Sequence, residues 1–302
     1  MSELCPDAIC NILYMKVLIS GSTGLVGTQL MSALRQRNHE VTTIGRTDFE
    51  KDIKFLAEKV SHADIVIHLA GAPIVARWTE SYKKTIVASR ILTTRMISQA
   101  IEMAESKPGL FISTSAVGIY PGDKIYTESN TAHGTDFLSQ VCIDWEAEAL
   151  KSKAFTKVAI FRLGVVLSRD GGALPKMLLP FKTGLGGRIA SGRQGFSWIH
   201  IQDLINAYLF VIEQNIDGIF NLTSPEVTNN AGFTKALAKT LHRPALLPVP
   251  AFALRLIYGE GAVTLTSGQK AIPERLQKAG FMFQFPEIHE ALRHLTKSKQ
   301  HI

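Results

Sequence analysis

An α/β fold, a doubly wound parallel sheet with a smaller C-terminal lobe, is what this sequence predicts. Three observations predict it. Residues 15–27, MKVLISGSTGLVG, run from an apolar stretch into glycines spaced by three and on into a helical pattern. Strand-like and helix-like segments then alternate as far as residue 167. From about residue 168 the texture turns rich in Gly and Pro.

Val17, Leu18 and Ile19 read as a buried parallel strand. Gly21 permits the tight turn off it. Gly24, without a Cβ, lets backbone approach a pyrophosphate, and Gly27 lets the following helix pack closely. Leu25, Val26, Leu30, Met31 and Leu34 share one helical face. The helix N-terminus offers free N–H groups and partial positive charge. This is the context of a Rossmann-like dinucleotide loop. HEVTTIGR (39–46) reads as a second strand and DIVIHLAGAP (64–73) as a third. A long helix covers 79–104, and GLFISTSAVGIY (109–120) is a strand breaking into a loop. Asp136 caps a helix over 136–152, and KVAIFRLGVVL (157–167) is a further strand. Ligands of such sheets bind at the carboxyl ends of strands, here 21–27, 45–46, 69–73, 114–120 and 163–166. A helix at 202–214, capped by Asp203, and a strand at 218–222 return to the main domain. Helical patterns at 229–242 and 286–296, with a Pro-rich 244–252, complete the lobe. The expected division is an N-terminal extension 1–14, a nucleotide-binding domain 15–167 with return elements near 198–222, and a lobe from 168–197 and 223–302.

The chain is 46% hydrophobic and 20% charged, which places it among globular proteins. No run reaches the about 18 apolar residues that a membrane span needs, so no membrane partner is expected. Glu3 and Asp7 make residues 1–14 unlike a signal peptide. Cys5, Cys10 and Cys142 give neither paired nor metal-ligand spacing, so no metal site is expected and the cytoplasm is the expected compartment. The formal net charge is +7, with its basic residues dispersed and no nucleic-acid motif among them. An anionic small ligand is the expected partner, not nucleic acid. Oligomeric state is open.

An NAD site of this kind ends its second strand on an acid. Here Gly45 and Arg46 stand there, nineteen positions past Gly27 at Arg46, and Asp48 falls beyond the strand end. Arg46 can pair with a 2′-phosphate and stack on adenine; its other reading is a solvated loop arginine. NADP is therefore the expected cofactor.

GSTGLVG, HLAGAP and ISTSAVGIY resemble an extended short-chain dehydrogenase/reductase. ARWTESYKKTIVASRILTTR, DFLSQVCIDWEAEA, RLGVVLSRDGGALPKMLLPF, GLGGRIASGRQGFSWIHIQDL and FNLTSPEVTNN resemble its epimerase-family branch. SGQKAIPERLQKAGFMFQFPEIHEAL resembles that branch's C-terminal small domain. The resemblance runs from Met15 to about Leu295. It implies an NADP-dependent oxidoreductase or epimerase acting on a small substrate, a nucleotide sugar or carbonyl compound. It implies that Thr23, Leu25 and Val26 join Gly21, Gly24 and Gly27 around the pyrophosphate, and that Gly45 and Arg46 hold the adenosine phosphate. Leu69, Ala70 and Gly71 would pass beneath the cofactor, Glu80 would lie on the connection covering it, and Leu163 and Gly164 would approach the nicotinamide.

Reductases of this superfamily use a Ser or Thr, a Tyr and a Lys one helical turn beyond it. Ser115 matches the serine, or else is a loop-capping hydroxyl. Tyr-x-x-x-Lys occurs at Tyr120 and Lys124, where Pro121 and Gly122 oppose a helix. The helix that ought to carry the pair offers Val141, Cys142, Trp145 and Glu146 instead. Three readings follow. Tyr120 projects into the site as acid/base, its alternative being a packing aromatic. Cys142 or Glu146 acts with a shifted pKa, or packs. Or the protein binds NADP without turnover, as a sensor or interaction protein. His200 either faces the cleft or is a hydrogen-bonded structural histidine. Lys182, Arg188 and Arg193 either bind an anionic substrate or are solvated.

Overall fold

The computed structural model describes residues 14–297. The expected N-terminal extension, apart from Tyr14, and Cys5 and Cys10 lie outside the described residues.

In chain order the elements are β1 (Lys16–Ser20), α1 (Leu25–Gln36), β2 (Glu40–Ile44), α2 (Ile53–Ser61), β3 (Ile65–His68), α3 (Glu80–Val87), α4 (Thr93–Met103), β4 (Leu110–Ala116), β5 (Ile125–Tyr126), α5 (Phe137–Leu150), β6 (Lys157–Leu163), β7 (Val165–Leu167), α6 (Ala173–Lys182), β8 (Trp198–His200), α7 (Ile201–Gln214), β9 (Gly218–Leu222), α8 (Asn230–Leu241), α9 (Ala251–Tyr258), α10 (Val263–Thr266), β10 (Lys270–Ala271), α11 (Glu274–Lys278) and α12 (Ile288–Thr296). Six strands form one parallel sheet in the order β2-β1-β3-β4-β6-β9. The chain moves outward from β1 to β2, then crosses to β3 on the other side of β1. That reversal is a topological switch point, where adjacent loops diverge and leave a crevice.

Side chains alternate across the sheet. Val17, Ile19, Ile65, Ile67, Ile112 and Phe161 pack on one face against α1 and α7. Leu18, Val66, Phe111, Val158 and Ile160 pack on the other against α2, α4 and the end of α5. Burial on both faces explains why these strands read as continuous apolar runs. A separate cluster with Leu174, Phe181, Trp198, Phe233, Leu237 and Leu292 forms the core of the smaller lobe.

Three local expectations are corrected. The strand expected over 157–167 is broken: Gly164 separates β6 from β7, which leaves the main sheet to pair with β8. A Cβ on Gly164 would lie 2.7 Å from the Ser197 carbonyl oxygen, so the crossing backbones require glycine there. The helix expected over 79–104 is interrupted by a π-helical turn at Ala88–Leu92, between α3 and α4. Such turns are frequent at functional sites. Asp203 does not cap α7: His200 does, its ring nitrogen accepting the Gln202 N–H. Asp203 lies buried in the first turn and accepts the Gln284 and Phe285 N–H groups. Two helices had no assignment from the sequence: α6, within the Gly- and Pro-rich stretch, and α9, which begins at the end of the Pro-rich 244–252. The Asp136 cap is present, accepting the Ser139 N–H at 3.0 Å.

Candidate functional site

The glycine turn leaves β1 at the switch point. Gly21 has φ +75°, which favours glycine. A Cβ there would lie 2.7 Å from Ala70 N and from the Leu69 carbonyl carbon. The turn therefore rests directly on the loop after β3, the segment of Leu69, Ala70 and Gly71. Gly24 is the N-cap of α1 and offers no side-chain acceptor, so no side chain satisfies the first N–H groups of that helix. Thr23 and Gly24 are exposed, and Leu25 and Val26 are half-buried. Gly172 lies over the start of α1, where its Cβ would meet Leu25 at 3.0 Å. This cradle of unsatisfied donors beneath a glycine turn fits a pyrophosphate.

Gly27 sets the depth of the cradle. A Cβ there would stand 2.3 Å from the Gly21 carbonyl oxygen and 2.8 Å from Ser22 Cα, both backbone atoms. Gly27→Ala is expected to push α1 off the turn and cost about 1–3 kcal/mol, an overpacking penalty. Thermal unfolding checks this; a melting temperature equal to wild type would show that the helix has room to spare.

Beyond β2, Gly45 and Arg46 begin a 3₁₀ turn, Arg46–Glu50. Arg46 is exposed and extends from the sheet edge. The nearby acid, Asp48, is drawn away from it. Its carboxylate accepts the Gly45 N–H at 2.8 Å and Lys59 Nζ at 2.9 Å. The bond from Lys59 is the leading cause holding the Asp48 carboxyl below the usual range. An acid that would repel a phosphate is thus neutralised inside the protein.

The third wall is the end of β4 with α5. Ser115 is 3% exposed, and its Oγ meets no nitrogen or oxygen partner, lying against the Cys142 thiol. Tyr120, expected as an acid/base candidate, has no exposed surface. Its hydroxyl accepts from Arg162 at 2.7 Å and faces Asn221 Oδ1 at 3.0 Å and the Thr127 carbonyl at 3.1 Å. Burial raises its pKa against the opposing pull of Arg162. This is the packing aromatic of the two readings, because a phenol with every partner inside the core cannot meet a substrate. Glu146 is equally committed: Arg162 donates to both its oxygens, at 2.9 and 2.7 Å, with both side chains buried. Burial pushes the Cys142 thiol up to about 12, the Glu146 charge adding to it, so the sulfur stays protonated. Leu163 and Gly164 end β6 beside this wall, each half-buried.

Two side chains that the sequence reading passed over stand here. His68 closes β3 between Ser20 Oγ at 2.5 Å and Thr93 Oγ1 at 3.2 Å. Burial, aided by Arg90, holds its imidazole down to about 3, so it is neutral. Arg90, in the π-helical turn, donates to the Ala72 carbonyl at 2.9 Å and lies over the Trp145 ring, 5.4 Å from guanidinium carbon to ring centroid. A Cβ on Gly71 would meet its guanidinium at 3.3 Å. Burial lowers its pKa. Arg90 lies on the segment expected as one long helix, within the π-helical turn that interrupts it.

The other candidates lie apart from these walls or are structural. His200 is 1% exposed, caps α7, stacks on Phe285 with ring centroids 3.9 Å apart and meets His294 at 3.0 Å, so it is the structural histidine of the two readings. Glu80 begins α3, exposed and paired with Lys83 at 3.2 Å. Lys182, Arg188 and Arg193 are exposed on the lobe, Arg188 opening on a groove with Lys235, Lys239 and Arg243. Among the described residues no group of three or more His, Cys, Asp or Glu could hold a metal ion, and no helix is long and apolar enough to cross a membrane.

Comparison with known proteins agrees with this architecture. A human epimerase family protein, SDR39U1, solved with NADPH, superposes with a TM-score of 0.84 at 33% identity, over 93% of this chain and 99% of that one. An epimerase family protein of Staphylococcus saprophyticus is 40% identical over 293 residues, 92% of this chain and 98% of the relative. The mouse SDR39U1 protein is 39% identical over 289 residues, 92% and 99%. Residues 249–295 match a domain of unknown function, DUF1731, in the C-terminal lobe. Residues 17–223, from β1 to just past β9, match the model of a second family, and with it the chain belongs to the NAD dependent epimerase/dehydratase family.

Proposed function

We propose that this protein binds NADP(H) across the switch point and acts as an oxidoreductase or epimerase on a small substrate carrying a carbonyl group and negative charge. The observation that carries the cofactor choice is the pairing at the end of β2. Arg46 is exposed there, while Asp48 is held by Lys59 and the Gly45 N–H. A 2′-phosphate thus meets a cation with no competing acid. In this reading the N–H groups of the turn around Gly21, Thr23, Gly24, Leu25, Val26 and Gly27 take the pyrophosphate. Leu69, Ala70 and Gly71 support the adenosine half, with Glu80 at its outer margin, and Leu163 and Gly164 border the nicotinamide. Bound there, the nicotinamide supplies the hydride donor or acceptor that such chemistry needs. Ser115, at the end of β4 with no nitrogen or oxygen partner, is the protein hydroxyl offered to a substrate oxygen. Human SDR39U1, 33% identical, is a structure with NADPH, which supports the cofactor assignment. The lobe supports an anionic substrate. Residues 171–202 and 227–259 contain no Asp or Glu, yet hold Lys176, Lys182, Arg188, Arg193, Lys235, Lys239, Arg243 and Arg255.

Titration with NADPH and NADH tests the cofactor. NADPH is expected to bind more tightly, and Arg46→Ala to weaken NADPH by roughly 10- to 100-fold, the loss of a charge-assisted contact, while NADH changes little. NADH binding as tight as NADPH to the wild type would sink the assignment. Hydride exchange across a panel of carbonyl compounds and nucleotide sugars tests the chemistry, with Ser115→Ala expected to be the slower enzyme. Absence of turnover across the panel would reduce the protein to a binder of the cofactor.

A further inference from the structure

The net charge of the chain sits in one place. Residues 171–202 and 227–259 carry eight Lys and Arg and no Asp or Glu, which leaves 25 basic against 26 acidic residues elsewhere. All eight are exposed, and among the described residues none has a carboxylate partner, whereas the exposed Lys51, Arg95 and Lys151 each have one. The same two segments are 65 of the 284 described residues, yet they hold eight of the fifteen large apolar side chains exposed among them. Folding joins the segments into one face. The Ala190 N–H donates to the Val249 carbonyl and the Val249 N–H to the Arg188 carbonyl, each at 2.9 Å, and Gly187 packs directly on the Leu247 carbonyl. Beside this seam Arg188, Lys235, Lys239, Arg243 and Leu246 line a groove of about 860 Å³, with Leu246 82% exposed. Leu179 and Leu185, on the turn that closes α6, are exposed as well. On α9, Phe252 and Leu256 are 68% and 72% exposed and share a face with Arg255, opposite the buried Leu254. A helix that is apolar on both faces normally lies covered on both, and α9 is covered on one.

We propose that this face of the lobe lies on an anionic lipid bilayer, with Leu246, Leu247, Phe252 and Leu256 entering its interfacial layer and Arg188, Lys235, Lys239 and Arg243 meeting lipid phosphates. Charge and apolar tips together select this occupant. A dissolved anion would engage the cations and leave the apolar side chains in water. A second copy would set eight positive charges against eight, which repel. A bilayer surface with acidic headgroups takes both features: the cations are attracted to it and the apolar tips leave water. Lys and Arg stems lie along the apolar layer while their charges stay among the headgroups. Attachment of this kind needs no spanning helix, and it combines two signals that are each weak alone. Arg46 and the glycine turn take no part in it, so it is independent of the cofactor reading. It shares the lobe's cations with the substrate reading, and vesicle binding and hydride exchange, measured separately, tell the failure of one from the failure of the other.

Co-sedimentation of the full chain with vesicles tests the proposal, using phosphatidylcholine alone and phosphatidylcholine with about one-third phosphatidylglycerol, which gives a negative surface. The wild type is expected to bind the anionic vesicles about tenfold or more tightly than the neutral ones, and less tightly as salt rises. Lys239→Glu with Arg243→Glu should weaken binding by about tenfold or more, and so should Leu246→Ser with Leu247→Ser. Lys54→Glu with Lys153→Glu, an equal change of charge on exposed residues outside this face, should leave binding within about threefold. Circular dichroism and melting temperature report whether each variant folds; where a double variant does not, its single substitutions decide. No binding of the wild type to anionic vesicles overturns the proposal. An equal loss in the Lys54 and Lys153 control overturns it by reducing the attraction to net charge. Unchanged binding in the leucine variant overturns it as well, since the apolar tips then stay in water. Poly-glutamate bound in preference to anionic vesicles also overturns it, assigning the face to an acidic protein.

Discussion

Glu146→Gln is expected to destabilise the protein by about 3–5 kcal/mol, the effect of breaking a buried ion pair from one side. The Arg162 guanidinium spans two elements. It leaves β6, takes both Glu146 oxygens on α5 at 2.9 and 2.7 Å and reaches the Tyr120 hydroxyl at 2.7 Å. Burial works against its charge, and the bonds to Glu146 more than offset this, so its pKa is raised. With glutamine opposite, the fork loses its charge partner while remaining buried. Urea denaturation at neutral pH measures the loss. The double variant Glu146→Leu with Arg162→Met removes both charges and is expected to regain much of the stability, since the penalty lies in the unpaired ion more than in the missing pair. A loss under about 1 kcal/mol for Glu146→Gln, the range of an exposed pair, would show that solvent reaches this network.

Acidification is expected to weaken the fold well above the carboxylate range. His68 and His200 are buried, with imidazole pKa values held down to about 3 and about 4, in each case chiefly by burial. Unfolded, each titrates near 6.5. Below that pH the unfolded chain takes up protons that the folded chain refuses, so stability is present in full above about pH 6.5 and falls as pH drops. The slope is about 1.4 kcal/mol per pH unit for each histidine, giving about 4 kcal/mol for the two between pH 6.5 and 5. The loss levels off only as pH passes through the folded values. His200→Asn keeps a capping side chain for α7 and should remove about half of this slope. Urea melts at pH 7.5 and 5.0 on both proteins check it; equal slopes in variant and wild type would mean that His200 is protonated in the fold.

The parallel sheet was legible because its cause is local. Strands buried on both faces must be apolar at consecutive positions, as at Val17–Ile19 and Phe111–Ile112. The turn at Gly21 was legible because a positive φ against crossing backbone tolerates little else. The placement of Arg46 past β2 followed from counting along a strand. The wall formed by the end of β4 and α5 was not legible in the same way. Tyr120 sits five residues past Ser115 and reads as its neighbour in a cleft, yet its hydroxyl is held by Arg162 and Asn221, far along the chain. Glu146 reads as a pocket acid until Arg162 is brought across it from β6. Arg90 carried no signal in the sequence, and the fold places it in a π-helical turn over Trp145. Gly164 reads as one residue of a single strand until Ser197 crosses beneath it.

The amino-acid sequence by itself determined the period of each element, the glycine turn, the Asp136 cap and a basic residue where an NAD site would carry an acid. Those depend on φ/ψ preference, side-chain periodicity and short-range hydrogen bonds, which neighbouring residues settle among themselves. Only the tertiary structure decided which polar side chains are spent on one another and which stay unspent. A charge is neutralised by whatever the fold places within about 3 Å of it, and that partner stands 16 residues from Arg162 but is absent among the described residues around Arg90. The difference between a paired and an unpaired buried charge lies in that placement.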